Sequence, residues 1–182
     1  MIKVHDNIFD KKWCDEVTDT LINSPWYANN TANAKSWPYG NTGTHRLMGD
    51  CFFQRVNENY INYNMNNKQL GEALINSFGQ ITQNTHPMRL EEIYTNLQFK
   101  GMDGTEHVDG KNNQTAFILM LSNEHHSRNI GGGFYHTPTD TTIDYKYGRV
   151  VEITASDSHK GNAFTIPHVA RISVKYLGTN II

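Results

Sequence analysis

The chain is small and rather polar. It has 182 residues, a hydrophobic content of 37%, a mean hydropathy of −0.60 and a formal net charge of −2. This length favours one domain spanning residues 1–182, with enough chain to bury a core. The charge balance and the lack of Lys/Arg clusters argue against a nucleic-acid partner, and the lack of a long apolar run argues against a membrane role.

The two cysteines, Cys14 and Cys51, are compatible with a reducing compartment. They could pair, but nothing in the sequence requires a disulfide, and no signal peptide precedes them. We therefore expect a cytoplasmic protein.

The first predicted elements are a strand and an amphipathic helix. Residues 3–9 predict the strand, and Asp10 is a suitable N-cap for the helix. Ser24-Pro25 predicts its end. Apolar residues recur at four-residue intervals on one helix face: Trp13, Val17 and Leu21. Cys14 lies beside this stripe and is interpreted as a packed core thiol rather than a nucleophile.

Residues 28–50 form the least regular part of the sequence. They are rich in Asn, Gly and Thr, have no hydrophobic periodicity, and contain Trp37, Tyr39 and Arg46. We predict a long loop, because such segments in compact domains often serve as lids or binding elements. Two interpretations stay open: a loop pinned by its aromatic residues, and a lid that contacts a substrate. The lid interpretation predicts that residues 29–49 cover the mouth of the substrate pocket.

The rest of the chain predicts one more helix and many short strands. A strand over residues 51–56 precedes a helix that begins near Asn67 and has one apolar face: Leu70, Leu74, Phe78 and Ile81. Further strands are predicted over residues 114–121, 149–153 and 169–177, and the glycines at 131–133 predict a tight turn into a strand. This order favours an α+β, mainly β domain, with helices against one side of a β sandwich or barrel.

Two predicted strands have one polar and one apolar face. In the last strand the polar face consists of Arg171, Ser173 and Lys175. In the strand before residue 100 it consists of Tyr94, Asn96 and Gln98, opposite Leu97 and Phe99. Polar faces either anchor a ligand in the mouth of a barrel or lie against solvent, and alternation alone leaves both open.

The second of these strands leads into the most informative motif of the chain. Residues 94–109 read Y-T-N-L-Q-F-K-G-M-D-G-T-E-H-V-D, in which a Gly-Met-Asp-Gly corner precedes His107 and Asp109. The spacing predicts that His107 and Asp109 lie on one face of the next strand. They would supply two ligands of a facial non-haem Fe(II) site, although an isolated His-x-Asp pair is more often a surface hydrogen bond.

The whole run, Y-x-N-x-Q-x-x-G-x-D-G-x-x-H-x-D, resembles the prolyl 4-hydroxylase-like branch of the 2-oxoglutarate- and Fe(II)-dependent dioxygenases. That family also has a distal His, followed after about a dozen residues by a basic residue and commonly Ser or Thr, a spacing that His159 and Arg171 fit. The resemblance covers residues 90–178 well, and the residues before 90 only in layout. It implies a double-stranded β-helix (jelly roll) with N-terminal helices packed against one sheet.

His168 is the rival to His159 as third ligand. It lies three residues before Arg171, and odd spacing on a strand places the two on opposite faces. His159 precedes Gly161-Asn162, a plausible turn, so that His159 and Arg171 can face inward from neighbouring strands. We therefore predict His107, Asp109 and His159 as the ligands. The remaining histidines, including His125 and His126, are expected to have no metal role.

The resemblance also implies the cofactors and their partners. Fe(II) would be held by the three ligands, and 2-oxoglutarate would chelate it while its far carboxylate pairs with Arg171. Ser173 can add a hydroxyl, and the further candidates to bind the cosubstrate or orient the ligands are Tyr94, Asn96 and Gln98. Many prolyl hydroxylases use Lys as the anchor. Lys175 lies about 13 Å beyond Arg171 at ~3.3 Å per residue, too far to share one carboxylate with it.

The implied reaction uses O2, with ascorbate as an accessory reductant, to convert 2-oxoglutarate to succinate and to hydroxylate a C–H bond. The motif favours proline in a peptide or protein as the substrate, and a free amino acid or another small metabolite is the alternative within the family. Two other classes stay open, a cupin-like metal-binding protein without oxygenase activity and a jelly-roll module that binds no metal. The size would also suit a phage-encoded enzyme expressed in a bacterial host, and the oligomeric state stays open.

Overall fold

The helices and strands are taken from a computed structural model, which describes residues 1–31, 46–63, 67–83, 87–122 and 130–181. These segments contain two α-helices, α1 (Lys11–Ile22) and α2 (Lys68–Thr82), and a short 3-10 helix, Thr137–Thr139. The strands are β1 (Ile2–His5), β2 (Tyr27–Thr31), β3 (Arg46–Asn57), β4 (Tyr60–Tyr63), β5 (Met88–Gln98), β6 (Gln114–Met120), β7 (Phe134–His136), β8 (Thr141–Ile143), β9 (Val150–Thr154), β10 (His159–Gly161) and β11 (Arg171–Asn180). None of the described helices has the length and apolar content that crossing a lipid bilayer requires.

Helix α1 begins where the sequence predicts. The Asp10 side chain caps it by accepting a hydrogen bond from the backbone N–H of Trp13 at 2.7 Å. Val17 and Leu21 are buried, and Trp13 packs against the same core cluster. Cys14 is also buried there, and burial raises the pKa of its thiol to about 11. The prediction of a core thiol is therefore confirmed.

Helix α2 packs on the same core. The Asn67 side chain caps it by accepting a hydrogen bond from the backbone N–H of Leu70 at 3.3 Å. All four predicted apolar residues are buried: Leu70, Leu74, Phe78 and Ile81. The hydroxyls of Ser77 on α2 and Tyr176 on β11 are 2.7 Å apart, which ties the helix to the sheet.

The strands form two antiparallel sheets in the described part of the chain. The larger has eight strands, in the order β1-β9-β6-β11-β5-β3-β2, with β4 paired to β3. The smaller has three strands, in the order β10-β7-β8. Because the last strand, β11, lies between β5 and β6, residues far apart in sequence meet at the centre of the larger sheet.

The two faces of the larger sheet have different neighbours. On one face, residues of β11 join the core cluster that includes both helices: Ile172, Val174 and Tyr176. On the other, residues of β6 and β9 pack with Phe134 of the smaller sheet. The polar residues of β11 lie on this second face and line a cavity. The predicted alternation is confirmed, except that Phe99 lies beyond the end of β5 and is 40% exposed. The fold is mainly β with two helices packed against one sheet.

Several predicted boundaries are wrong. β1 ends at His5, because Asn7 turns the chain with a φ of 64°. The last strand begins only at Arg171, because His168 has a φ of 68°. Residues 28–50 are not a loop throughout, since β2 and the start of β3 pair at its two ends. Trp37, Tyr39 and most of the predicted lid lie outside the described residues.

Candidate metal centre

A pair of backbone hydrogen bonds joins His107 to His159. The N–H of His107 donates to the carbonyl of His159 at 3.0 Å, and the N–H of His159 donates to the carbonyl of His107 at 2.9 Å. The predicted strand carrying His107 and Asp109 is wrong, because only this single bridge forms there. The bridge still brings the two imidazole centroids to 4.5 Å from each other.

Backbone carbonyls orient both imidazoles. His107 Nδ1 is 2.8 Å from the carbonyl oxygen of Thr105, and His159 Nδ1 is 2.9 Å from that of Asp157. A carbonyl oxygen can only accept, so Nδ1 carries the proton of each neutral ring and Nε2 presents a lone pair. The Phe134 ring stacks on His159 with centroids 5.1 Å apart. Both Nε2 atoms are thereby prepared as metal ligands.

Asp109 supplies a third ligand atom. Its backbone N–H donates to the carbonyl of Ala155 at 2.9 Å, which holds this segment beside the end of β9. Its Oδ2 is 3.3 Å from Nε2 of His159, and its Oδ1 is 3.6 Å from Nε2 of His107. The ligand atoms of the three residues lie within 4.8 Å of one another. His168 is exposed and lies outside this group.

The donor set fits a divalent cation. The Asp109 side chain is 4% exposed, and its Oδ2 has no hydrogen-bond partner among the described residues. Burial raises the pKa of this carboxyl, but the charge of Lys175 is the first of the effects that oppose burial and hold the pKa well below its usual value. Oδ2 faces imidazole lone pairs without a hydrogen-bond donor, and a divalent cation at this point would bind all three groups. Two His and one carboxylate are the ligands of a non-haem Fe(II) facial site.

Arg171 is a second buried charge in the same cavity. It is 2% exposed, its Nε donates to the carbonyl of Gly132 at 2.8 Å, and its Nη1 donates to Gln98 Oε1 at 2.7 Å. In the described part of the chain, Nη2 has no hydrogen-bond partner. Burial lowers the pKa of Arg171 to about 10, so that the group stays charged at neutral pH. The guanidinium therefore has a donor free for an anionic ligand.

A cavity of about 290 Å³ joins the three candidate metal ligands to Arg171. All the predicted site residues line it: Tyr94, Asn96, Gln98, His107, Asp109, His159, Arg171 and Ser173. Gln98 is engaged by the protein, because its amide nitrogen donates to the carbonyls of Met102 at 2.8 Å and Gly161 at 3.0 Å. Ser173 Oγ lies 3.3 Å from Nη1 of Arg171, which donates to it. Gln98 and Ser173 thus hold the guanidinium in place.

The Gly-Met-Asp-Gly corner ties the His107 segment to β10. Asp103 Oδ1 accepts a hydrogen bond from the backbone N–H of Ala163 at 2.7 Å, and the N–H of Gly104 donates to the carbonyl of Gly161 at 2.9 Å. A Cβ on Gly104 would lie 3.0 Å from that carbonyl oxygen. The corner therefore sets the close approach of the two segments that carry His107 and His159.

Lys175 and Glu92 are two further charged residues that line the cavity. Sequence reasoning misses their contacts with each other and with the candidate metal ligand Asp109. Lys175 Nζ is 2.7 Å from Glu92 Oε1 and 3.3 Å from Asp109 Oδ1. Burial lowers the pKa of Lys175, but attraction to Asp109 and Glu92 outweighs it and holds the pKa above the usual range for lysine. Glu92 lies two residues before Tyr94, so strand alternation is the signal that could have found it.

The prediction that His159 and Arg171 lie on neighbouring strands is wrong. His159 is on β10, which pairs with β7 in the smaller sheet, whereas Arg171 begins β11 in the larger sheet. The two residues face the cavity from different sheets, so that the sandwich itself brings them together. His125 and His126 lie outside the described residues.

Comparison with solved structures identifies the architecture. An oxidoreductase of the 2OG-Fe(II) oxygenase family from Burkholderia pseudomallei matches with a TM-score of 0.72 and 15% identity, covering 98% of this chain and 85% of that chain. This chain has the fold of the 2OG-Fe(II) oxygenases. The viral collagen prolyl hydroxylase of Paramecium bursaria Chlorella virus-1, in its 2OG complex, matches this oxygenase fold with a TM-score of 0.61 and 11% identity, covering 99% and 96% of the two chains.

A third match to the oxygenase fold is HygX from Streptomyces hygroscopicus, in a structure with nickel and 2-oxoglutarate bound. Its TM-score is 0.62 at 10% identity, covering 100% of this chain and 83% of HygX. No protein-family model and no curated protein matches the sequence. The predicted resemblance and the double-stranded β-helix are confirmed as a fold.

Proposed function

We propose that this protein is an Fe(II)- and 2-oxoglutarate-dependent dioxygenase that hydroxylates a C–H bond while converting 2-oxoglutarate to succinate. One observation carries the proposal. The cluster of His107, Asp109 and His159 and the buried guanidinium of Arg171, which has a donor without a partner among the described residues, line one cavity of about 290 Å³. Such a cavity is suited to a ligand that reaches a metal at one end and carries an anionic group at the other.

The fixed charges of the cavity support a dication together with a dianion. Among the described residues that line the cavity, Asp109 and Glu92 are negative and Lys175 and Arg171 are positive, so these four groups balance one another. A bound divalent metal then leaves two positive charges, which a doubly ionised keto acid neutralises. Buried charge is tolerated when it is paired, so a cavity without net charge accommodates the metal and the keto acid together better than either alone.

Each residue has a distinct role in this proposal. His107 and His159 would bind the metal through Nε2, and Asp109 through a carboxylate oxygen, leaving open positions for the keto acid and O2. When bound, the metal supplies the activation of O2 that oxidises both the keto acid and the substrate. Arg171 would pair with the far carboxylate of 2-oxoglutarate, within reach of the Ser173 hydroxyl. Tyr94 and Asn96 line the cavity between these groups, where they are candidates to orient the cosubstrate.

Proline in a peptide or protein is the substrate class that we favour. The support is the sequence motif, together with the fold shared with the viral collagen prolyl hydroxylase. A small-molecule substrate is the second candidate. HygX, whose fold is as similar to this chain as that of the viral prolyl hydroxylase, was also solved with hygromycin B bound, and that structure matches this chain with a TM-score of 0.57. A cupin-like protein without oxygenase activity would not need the guanidinium of Arg171 in the cavity.

The test is a turnover assay. Succinate formation would be measured with Fe(II), O2 and ascorbate, against proline-containing peptides, free amino acids and other small metabolites in parallel. We expect iron- and 2-oxoglutarate-dependent succinate formation, stimulated most by the peptides. Stimulation only by a small molecule would replace the substrate class, and the absence of any iron-dependent turnover would contradict the proposal.

A further inference from the structure

The ion-paired side chain of Lys175 contacts a proposed metal ligand directly. Its Nζ is 3.3 Å from Asp109 Oδ1, which also lies 3.6 Å from Nε2 of His107, whereas Oδ2 lies 3.3 Å from Nε2 of His159. The same Nζ is 2.7 Å from Glu92 Oε1. Asp109 is 4% exposed, Lys175 19% and Glu92 21%, so solvent weakens these contacts only in part.

The two oxygens of Asp109 therefore have unequal surroundings. Oδ1 is occupied by the ammonium, whereas Oδ2 has no hydrogen-bond partner among the described residues. A carboxylate whose two oxygens are both free can bind a metal through both, which fills one more coordination position. An ammonium held on one oxygen prevents this and also repels a cation on the other.

We infer that Lys175 is a positioning residue that restricts Asp109 to metal binding through Oδ2 alone, and that Glu92 controls how strongly it does so. The inference rests on the proposed function, since it assumes a metal on His107, Asp109 and His159. Lys175 would lower the affinity for the metal and keep a coordination position open for the keto acid. Glu92 shares the ammonium with Asp109, so that Asp109 is only partly neutralised.

The inference predicts opposite signs for two single variants. Lys175→Met removes the competing charge and keeps an apolar stem, so the dissociation constant for Co²⁺ should fall by about tenfold or more. Glu92→Gln keeps the shape but leaves the ammonium to Asp109 alone, so the same constant should rise by about tenfold. Lys3→Met is the matched control, because Lys3 makes a Lys–Glu pair of the same 2.7 Å length with Glu152, outside the cavity. It should leave Co²⁺ binding unchanged.

A double variant separates positioning from net charge. Lys175→Met with Glu92→Gln restores the wild-type charge, so a purely electrostatic effect would return the Co²⁺ affinity to the wild-type value. Loss of the contact on Oδ1 predicts instead that the double variant stays about tenfold tighter than wild type. It also removes Glu92 as a substitute ligand, which the single Lys175→Met variant does not.

Calorimetric titration measures the affinity for Co²⁺, and the visible spectrum of the Co²⁺ protein reports the coordination number. The affinity for 2-oxoglutarate is then measured by adding it to the Co²⁺ protein under anaerobic conditions. We expect Lys175→Met and the double variant to change the spectrum and to bind 2-oxoglutarate at least about tenfold more weakly, although they bind metal more tightly. Unchanged or weaker Co²⁺ binding by Lys175→Met, or wild-type behaviour of the double variant, would overturn the inference. Glu92→Gln tests it independently if Lys175→Met fails to fold. If Asp109→Ala bound Co²⁺ as tightly as the wild type, that result would instead contradict the proposed function.

Discussion

The guanidinium of Arg171 lies directly against the α-carbon of Gly161, two residues after His159. A Cβ on Gly161 would be 3.0 Å from Nη1 and 3.2 Å from both Cζ and Nη2. Arg171 cannot move away freely, because Gly132 and Gln98 hold it through hydrogen bonds of 2.8 and 2.7 Å. The strand that carries a proposed metal ligand thus also forms the wall behind the proposed cosubstrate anchor.

This contact predicts a selective effect of Gly161→Ala. The added methyl group should displace the guanidinium by a few tenths of an ångström and raise the concentration of 2-oxoglutarate needed by about tenfold. Metal affinity should change little, since His159 keeps its backbone bridge to His107. Gly79→Ala is the control, because a Cβ there meets nothing within 4 Å. It should leave 2-oxoglutarate binding unchanged and stabilise α2 by about 0.5–1 kcal/mol, as measured by chemical unfolding.

The anchor itself should contribute about two decades or more to the cosubstrate affinity. Removing one partner from a buried ion pair costs roughly 3–5 kcal/mol, and ~1.4 kcal/mol corresponds to one decade in affinity. Arg171→Ala should therefore raise the 2-oxoglutarate requirement by at least about two decades, with metal binding intact. Arg171→Lys keeps the charge but loses the two-point geometry, so its requirement should lie between those of wild type and Arg171→Ala. Saturation curves for succinate formation measure both, and an unaltered curve for Arg171→Ala would exclude Arg171 as the anchor.

The proposed metal ligands are tested by single alanine variants. His107→Ala, Asp109→Ala and His159→Ala should each abolish iron-dependent succinate formation, because the facial site has only three protein ligands. His168→Ala should retain activity, since His168 is exposed and lies outside the cluster. If His168→Ala were inactive and His159→Ala active, the assignment of the third ligand would be wrong.

Gly132 should be the glycine of the turn before β7 that is most sensitive to substitution. Its φ is 78°, and a Cβ there would overlap the ring of Phe164. A left-handed backbone costs roughly 1–2 kcal/mol for a residue with a Cβ, and overpacking adds about 1–3 kcal/mol. Gly132→Ala should lower the free energy of unfolding by about 2–5 kcal/mol in urea titrations, and a loss below about 0.5 kcal/mol would contradict this description of the turn.

Local rules predict much of the fold. Asp10 caps α1 as predicted, and α2 begins next to its cap Asn67, near which its start was predicted, because helix starts depend on a few adjacent residues. Alternation on β5 and β11 predicts which polar side chains share a face, because a strand has a fixed period of two, and the structure places that face on the cavity. The strand β2 is missed for a physical reason. Its sequence, Tyr-Ala-Asn-Asn-Thr, has no apolar alternation, and as an edge strand of the described sheet it is defined mainly by backbone pairing with β3.

The contacts between distant segments are what the sequence cannot supply. The bridge between His107 and His159 depends on the corner at Asp103 and Gly104, which attaches one segment to the other. The contact of Lys175 with Asp109 likewise forms only when distant segments fold around the cavity, because the two residues are on segments with no common periodicity. A sequence motif therefore predicts which groups are present, whereas the packing of the two sheets determines which of them touch.

The most direct test of the account is an anaerobic calorimetric titration of 2-oxoglutarate into the Mn²⁺-loaded protein. A cavity that needs a dication and a dianion together predicts one 2-oxoglutarate per chain, with binding that disappears when the metal is removed or when Asp109 is replaced by alanine. Arg171→Ala should weaken this binding by at least about two decades while Mn²⁺ stays bound. Binding of 2-oxoglutarate that is equally strong without metal, or no binding by the loaded protein, would contradict the proposal that this cavity is a 2-oxoglutarate-dependent oxygenase site.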